Sequence, residues 1–184
     1  MPHVETILGI FDRGGESAYF GEAVSVVEHG LQAALFARQE GAEEPLILAA
    51  LLHDVGHLVV PAPDSLSAWR HDAQHEISGS QWLSQWLRPA VTEPIRMHVA
   101  AKRYLCATAA SYFERLSAAS RLTLELQGGP MSEHEAALFK QQPFFREALK
   151  LRLWDERAKV EGLQAGKLDD YRAMIERQII TRPQ

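Results

Sequence analysis

Leu46-Ile47-Leu48-Ala49-Ala50-Leu51-Leu52 is an unbroken apolar run that ends in His53-Asp54, with His57 one helical turn further on. A segment apolar on every side belongs in a protein interior, so it delivers an imidazole and a carboxylate to a place without water. Each group there must be hydrogen-bonded or coordinated. A bound metal satisfies both at once, and the doublet predicts further ligands elsewhere in the chain.

Candidates stand at suitable intervals: His29 upstream, and His75, His98 and Asp155 downstream. Four imidazoles and two carboxylates, spread over several helices, suffice for two metals with Asp54 bridging. Nitrogen and oxygen ligands of this kind suit iron, manganese or zinc rather than copper(I) or calcium. Helical bundles commonly collect such ligands on facing helices.

The rest of the chain fits a compact metalloenzyme. Its 184 residues predict one domain, residues 1–184, with room for a substantial core. A net charge of −5 without a basic run excludes a nucleic-acid groove. No apolar stretch reaches membrane-spanning length, and Met1-Pro2-His3-Val4-Glu5 lacks the character of a signal peptide. The single cysteine, Cys106, excludes an internal disulfide and fits a reducing cytoplasm; it reads as a packed or partly exposed thiol. No protein partner is predicted.

Periodicity predicts helices throughout: Val4–Phe11, Glu22–Gln39, Pro45–Asp54, Asp72–Leu87, Val91–Val99, Ala118–Leu126, Ser132–Phe139, Pro143–Lys159 and Leu168–Gln178. Gly41 lies just past the second helix, and Pro45 opens the third, where its missing N–H is harmless. Ser132 and Glu135 form a capping-box pattern. Pro61, Pro63 and two serines make 59–67 a loop. No β-alternation, repeat or low-complexity segment is present, so the fold class is an all-α helical bundle.

The order His29, His53-Asp54, Asp155 follows the H…HD…D pattern of the HD-domain superfamily. The chain resembles, over nearly its whole length, the small bacterial HD-domain phosphonate oxygenases of the PhnZ type. The matching blocks are Tyr19-Phe20-Gly21-Glu22-Ala23, Glu28-His29, residues 49–57, Gln74-His75-Glu76, residues 98–105, residues 117–121, residues 124–131 and Trp154-Asp155-Glu156. An HD doublet alone mostly marks phosphohydrolases. The run from His98 to Leu105, with Gln127-Gly128-Gly129-Pro130-Met131, is more specific.

The resemblance implies a mixed-valent Fe(II)/Fe(III) di-iron centre, with O2 as co-substrate. The reaction it implies oxidises C1 of a 1-hydroxy-2-aminoethylphosphonate, free or trimethylated at nitrogen, and breaks the C–P bond. Glycine or glycine betaine and phosphate are the products. His29, His53, Asp54 and Asp155 are implied as ligands of one iron; Asp54 bridges to the second, which His75 and His98 complete. That second iron keeps an open position for substrate and O2. Tyr19 is implied to occupy it before substrate arrives, and Glu22 to work with His57 in recognising the amine. Lys102, Ser120, Thr123 and Arg152 are implied as the phosphonate site. Spacing agrees: Lys102 is four residues after His98 and Arg152 three before Asp155, while Ser120 and Thr123 stand near a helix start.

Plainer readings exist. His71 competes with His75 as a ligand by position but falls outside the matching block. His3 and His134 read as exposed, and Trp69, Trp82, Trp86 and Trp154 as packing residues. A nucleotide or phosphate-monoester phosphohydrolase is the rival enzyme, and a catalytically dead binding module the rival outside enzymology. The intact ligand series argues against the second.

Overall fold

The computed structural model describes residues 2–17, 19, 22–60 and 74–181. Eleven α-helices and two short 3-10 helices, Gly9–Arg13 and Leu168–Tyr171, are present among them and no strand; the α-helices are numbered along the chain. In order they are α1 (Pro2–Leu8), α2 (Val26–Gln39), α3 (Glu44–Leu52), α4 (Gly56–Val59), α5 (His75–Leu83), α6 (Pro89–Thr108), α7 (Ala110–Arg115), α8 (Ala118–Leu126), α9 (Glu133–Phe139), α10 (Phe145–Arg157) and α11 (Arg172–Gln178). The all-α expectation holds.

Boundaries moved where a cap outweighs periodicity. The helix expected from Glu22 begins at Val26, because Ser25 and Glu28 close a capping box on it. Residues 22–24 are thereby left as a bend beside the metal-ligand candidates. The helix expected over Val91–Val99 runs from Pro89 to Thr108 and carries Lys102 on its continuation. Helix α7 was not expected, α8 has the expected bounds, and the Ser132–Glu135 capping box is formed. Most of the 59–67 loop, Trp69, His71 and the start of the helix expected from Asp72 lie outside the described residues.

Helix α3 is buried along its whole apolar run and packs on α2 and α6, while α10 lies against α6 and α2. The main core joins α1, α2, α3 and the start of α6 to Leu151 and Trp154 of α10 and Tyr171 and Ile175 near α11. Among the contacts too tight for any side chain, two bear on the site. A β-carbon on Gly30 would lie 2.5 Å from Leu51 O, so α2 touches the backbone of α3 there. At Gly56 it would overlap the His75 carbonyl group, so α4 and α5 meet backbone to backbone. These approaches bring His29 to His53, and His75 to Asp54.

Candidate metal centre

The centre is assembled from helix ends. α3 stops at Leu52, so its last carbonyls lack partners within the helix; Ala50 O accepts from His53 Nδ1 at 2.9 Å. His29, buried on α2, donates Nδ1–H to Ala158 O at 2.7 Å, just past the end of α10. His98, on α6, donates to Ile95 O at 2.7 Å. With each Nδ1 committed as a donor, each Nε2 points its lone pair inward.

Those inward nitrogens face one another at close range. His29 and His53 Nε2 are 3.1 Å apart, as are His75 and His98 Nε2. Two lone pairs at that distance require a proton or a cation between them. Asp54 lies between the pairs: Oδ1 is 3.3 Å from His75 Nε2 and 3.6 Å from His98 Nε2, and Oδ2 is 3.4 Å from His53 Nε2 and 3.6 Å from His29 Nε2. Asp155 Oδ1 adds an oxygen 3.3 Å from His29 Nε2. All six residues are buried. Among the described residues, Asp54 Oδ2 and Asp155 Oδ1 are buried without a donor in hydrogen-bonding geometry, a costly state that a cation relieves. His29, His53 and Asp54 lie close enough to hold one metal ion, and Asp54, His75 and His98 a second. The donor set fits metal, with one carboxylate oxygen turned to each imidazole pair.

The electrostatics agree. Burial pushes the Asp54 and Asp155 carboxyls up, but the imidazoles, and Arg152 beside Asp155, hold both well below the usual carboxylate range. Burial lowers His53, yet Asp54 and Asp155 outweigh it and raise its pKa. His98 is pulled down to about 3 by burial and by His75 and His53. The unmetallated site thus holds anionic carboxylates and a neutral His98, the forms that bind metal.

Beside the imidazoles lies a second polar layer. Lys102, buried on α6, donates to Thr123 Oγ1 at 2.9 Å. Arg152, buried on α10, bonds Tyr112 Oη at 2.7 Å and Ser120 Oγ at 3.3 Å, and forms ion pairs with Asp155 and Glu156. Four of its five N–H donors are thereby engaged, so Arg152 orients Asp155 as well as lending charge. The four expected phosphonate residues do gather on one side of the centre. Tyr112, Ser117, Glu156 and Lys159 join them and were missed. Ser117 and Glu156 stand inside matching blocks, and Glu156 also lies four residues after Arg152 on the same helix face, but neither was given a role there.

Tyr19 stacks on His29, with ring centroids 4.0 Å apart and planes at 15°. Burial, and then the Asp54 and Asp155 carboxylates, push its hydroxyl well up, so it is a neutral phenol in the metal-free protein. His57 stacks on His75 at 4.0 Å. Glu22 is joined to Tyr19 by a 2.7 Å backbone bond from Glu22 N to Tyr19 O. Its carboxylate accepts from Ser117 Oγ at 2.7 Å and lies 3.3 Å from Lys159 Nζ. His3 and His134 are exposed, Trp154 is buried, and Trp82 and Trp86 are partly buried.

The HD-domain family model matches residues 26–158, a span that includes all six ligand candidates. Two curated relatives match almost end to end. One is a [1-hydroxy-2-(trimethylamino)ethyl]phosphonate dioxygenase (glycine-betaine-forming) from Leisingera caerulea, 42% identical over 96% of this chain and 90% of the relative. The other is a hydroxymethylphosphonate dioxygenase from Gimesia maris, 44% identical over 94% of this chain and 86% of the relative. The chain belongs to the HD-domain family, in the branch that holds these two dioxygenases.

Proposed function

We propose that this chain is a dioxygenase that uses O2 to break the C–P bond of a small 1-hydroxyphosphonate, releasing phosphate and a carboxylate. The observation that carries the reading is the Asp54 carboxylate between two pairs of inward-facing imidazoles, in a chain 42–44% identical to two phosphonate dioxygenases. The metals are two irons in the mixed-valent state. His29, His53, Asp54 and Asp155 would hold one, and Asp54, His75 and His98 the other. When bound, the irons supply the redox chemistry with O2 and a Lewis-acid anchor for the C1 hydroxyl and the phosphonate.

The protein's own groups do the rest. Lys102 with Thr123, and Ser120 with Arg152, provide cations and hydroxyls for the phosphonate, in a setting dry enough for charge-assisted bonds to count. Tyr19, stacked on His29, would shield the metal centre before substrate binds. The headgroup on C1 is a hydrogen, an aminomethyl or a trimethylaminomethyl group, and lies toward Glu22 and His57. The segments flanking the matched span belong to the same domain, since Ile7 and Ile175 share its core. A cytoplasmic location is part of this proposal; no helix among the described residues is long and apolar enough to cross a membrane.

The test is metal analysis, O2 uptake and phosphate release on protein reconstituted anaerobically with iron. Close to two irons per chain, and stoichiometric O2 consumption with phosphate release from a 1-hydroxyphosphonate, are expected. A single tightly held zinc together with phosphomonoesterase activity would establish the hydrolase instead.

A further inference from the structure

Tyr112 is buried on α7, with 3% of its surface exposed. Its ring packs with Leu116 and Leu124, and Leu105, Cys106 and Ala109 border them. The phenol oxygen is thereby held at one point, where it accepts the Nε–H of Arg152 at 2.7 Å. Arg152 in turn pairs with Asp155, a candidate metal ligand, and donates to Ser120 Oγ. One guanidinium therefore links the Tyr112 hydroxyl to the metal centre and to the expected phosphonate residues.

A phenol both accepts and donates, and the donor half of this one is unspent. The other hydroxyls of the layer are committed. Ser117 donates to Glu22 Oε1 at 2.7 Å, and Ser120 to Glu156 Oε2 at 2.8 Å. Thr123 shares its proton between the carbonyls of Ala119 and Ser120, each at 3.2 Å. Ser120 and Thr123 can thus donate to a ligand only by giving up an acceptor. The Tyr112 proton has no acceptor among the described residues. A buried donor in that state is costly, and a ligand that brings oxygen acceptors removes the cost. Burial pushes the hydroxyl well up despite Arg152, so it keeps its proton and meets an anion as a donor. Accepting from a guanidinium polarises the phenol and strengthens that donation.

We propose that Tyr112 is a further substrate-binding residue, whose phenol donates to an oxygen of the bound phosphonate while it accepts from Arg152. The inference rests on the dioxygenase reading above and adds a contact to it. A phosphonate, like a phosphoryl group, carries three acceptor oxygens. Arg152 has four N–H groups engaged within the protein, so it meets the anion with the fifth. Lys102 supplies a second charged donor. The Tyr112 hydroxyl supplies another beside Arg152, without breaking a bond already made.

The experiment measures Kd on iron-loaded protein by anaerobic calorimetry, with phosphate release in O2 as the companion assay. The probes are hydroxymethylphosphonate and 1-hydroxy-2-(trimethylamino)ethylphosphonate, which share the phosphonate and differ in headgroup. Tyr112→Phe keeps the ring and removes the hydroxyl. Its Kd should rise roughly ten- to a hundredfold, the scale of one bond to a charged group, and by the same factor for each probe that binds. A ring-fluorinated tyrosine at position 112 separates a donor from a prop. Fluorine makes the phenol a stronger donor and a weaker acceptor for Arg152, so binding should tighten. An unchanged Kd in Tyr112→Phe overturns the inference. Weaker or unchanged binding with the fluorinated residue also overturns it, since Tyr112 would then only position Arg152. Where Tyr112→Phe does not fold, the fluorinated protein decides. Oxidation of either probe without the expected Kd pattern leaves the dioxygenase standing and removes Tyr112 from its site. The expected pattern without oxidation keeps Tyr112 as a phosphonate contact and sinks the dioxygenase, and a wild type that binds neither probe overturns both.

Discussion

Gly56→Ala should remove one metal and spare the other. A β-carbon on Gly56 would overlap the His75 carbonyl oxygen and lie 2.6 Å from the carbonyl carbon and 2.9 Å from Cα. Carbon atoms pack best at about 3.5–4.0 Å, so α4 and α5 must part by about 1 Å. Nothing flexible can absorb this, because the atoms met are backbone and because Gly79 of α5 abuts Gly56 N in turn. His75 moves with its backbone, and metal sites tolerate displacements of only about 0.2 Å. The pair formed by His75 and His98 therefore loses its geometry, while His29 and Asp155 stand on α2 and α10, away from the clash, and His53 is held at the end of α3 by Ala50 O.

The expected loss exceeds the roughly ten- to a hundredfold that follows from disturbing a ligand's supporting shell, because here the ligand itself is displaced. The assay is an anaerobic iron(II) titration followed by metal analysis after gel filtration. Wild type should retain close to two irons per chain and Gly56→Ala close to one, with phosphate release abolished. Two retained irons with wild-type affinity would refute the argument that backbone contact at Gly56 positions His75. Loss of both irons from a folded protein would refute the independence of the two half-sites.

Three further outcomes follow from the geometry. Arg152→Met leaves the buried Asp155 without its arginine partner and Glu156 with Lys159 alone, a loss of about 3–5 kcal/mol, or roughly 6–20 °C in the melting temperature of the metal-free protein; an unchanged melting temperature would make Arg152 a substrate contact alone. His98 is held at about 3 in the folded chain against about 6.5 unfolded, so between those values the unfolded chain binds a proton that the folded one refuses. Metal-free protein should lose stability as pH falls from about 6.5 toward 3, His53 contributing with opposite sign because its pKa is raised; His98→Asn should flatten the melting-temperature profile between pH 7 and 5, and an unaltered slope would remove His98 from the account. Tyr19→Phe should lose the mixed-valent EPR signal faster than wild type in aerated, substrate-free buffer, and equal lifetimes would show that Tyr19 does not guard the site.

The parts of this molecule legible in its sequence are those in which burial and chemistry conflict. An apolar run ending in His53-Asp54 makes sense only with a partner set, and the structure brings His29, His75, His98 and Asp155 to it. Lys102 was readable because helical spacing ties it to His98. Lys159 was not. It lies past the end of α10, with no periodicity to link it to Glu22, and a lysine near a helix terminus ordinarily points into water. Its burial depends on a contact between segments 137 positions apart in sequence, from the bend before α2 to the residues after α10. The bend itself was hidden for a related reason. Apolar spacing from Val24 to Leu35 looks continuous, and only the Ser25–Glu28 capping box starts the helix later, leaving Glu22 in a segment able to turn toward Ser117.

Those helix ends explain why this architecture suits a metal centre. A helix terminus leaves carbonyls unpaired, and a metal-binding histidine needs an acceptor for its second nitrogen. Here each requirement meets the other: Ala50 O, in the last turn of α3, takes the Nδ1–H of His53, and Ala158 O, capping α10, takes that of His29. The chain beyond Ala158 is anchored to the same helix, because Gln32 of α2 bonds both the N–H and the carbonyl of Val160. Lys159 lies between these two anchors. The backbone contacts that orient His29 therefore also place the Lys159 ammonium beside Glu22. The candidate ligand His29 and the buried Lys159 ammonium are positioned by the same three residues of chain, and the side chain at 159 can change without disturbing the anchors on either side.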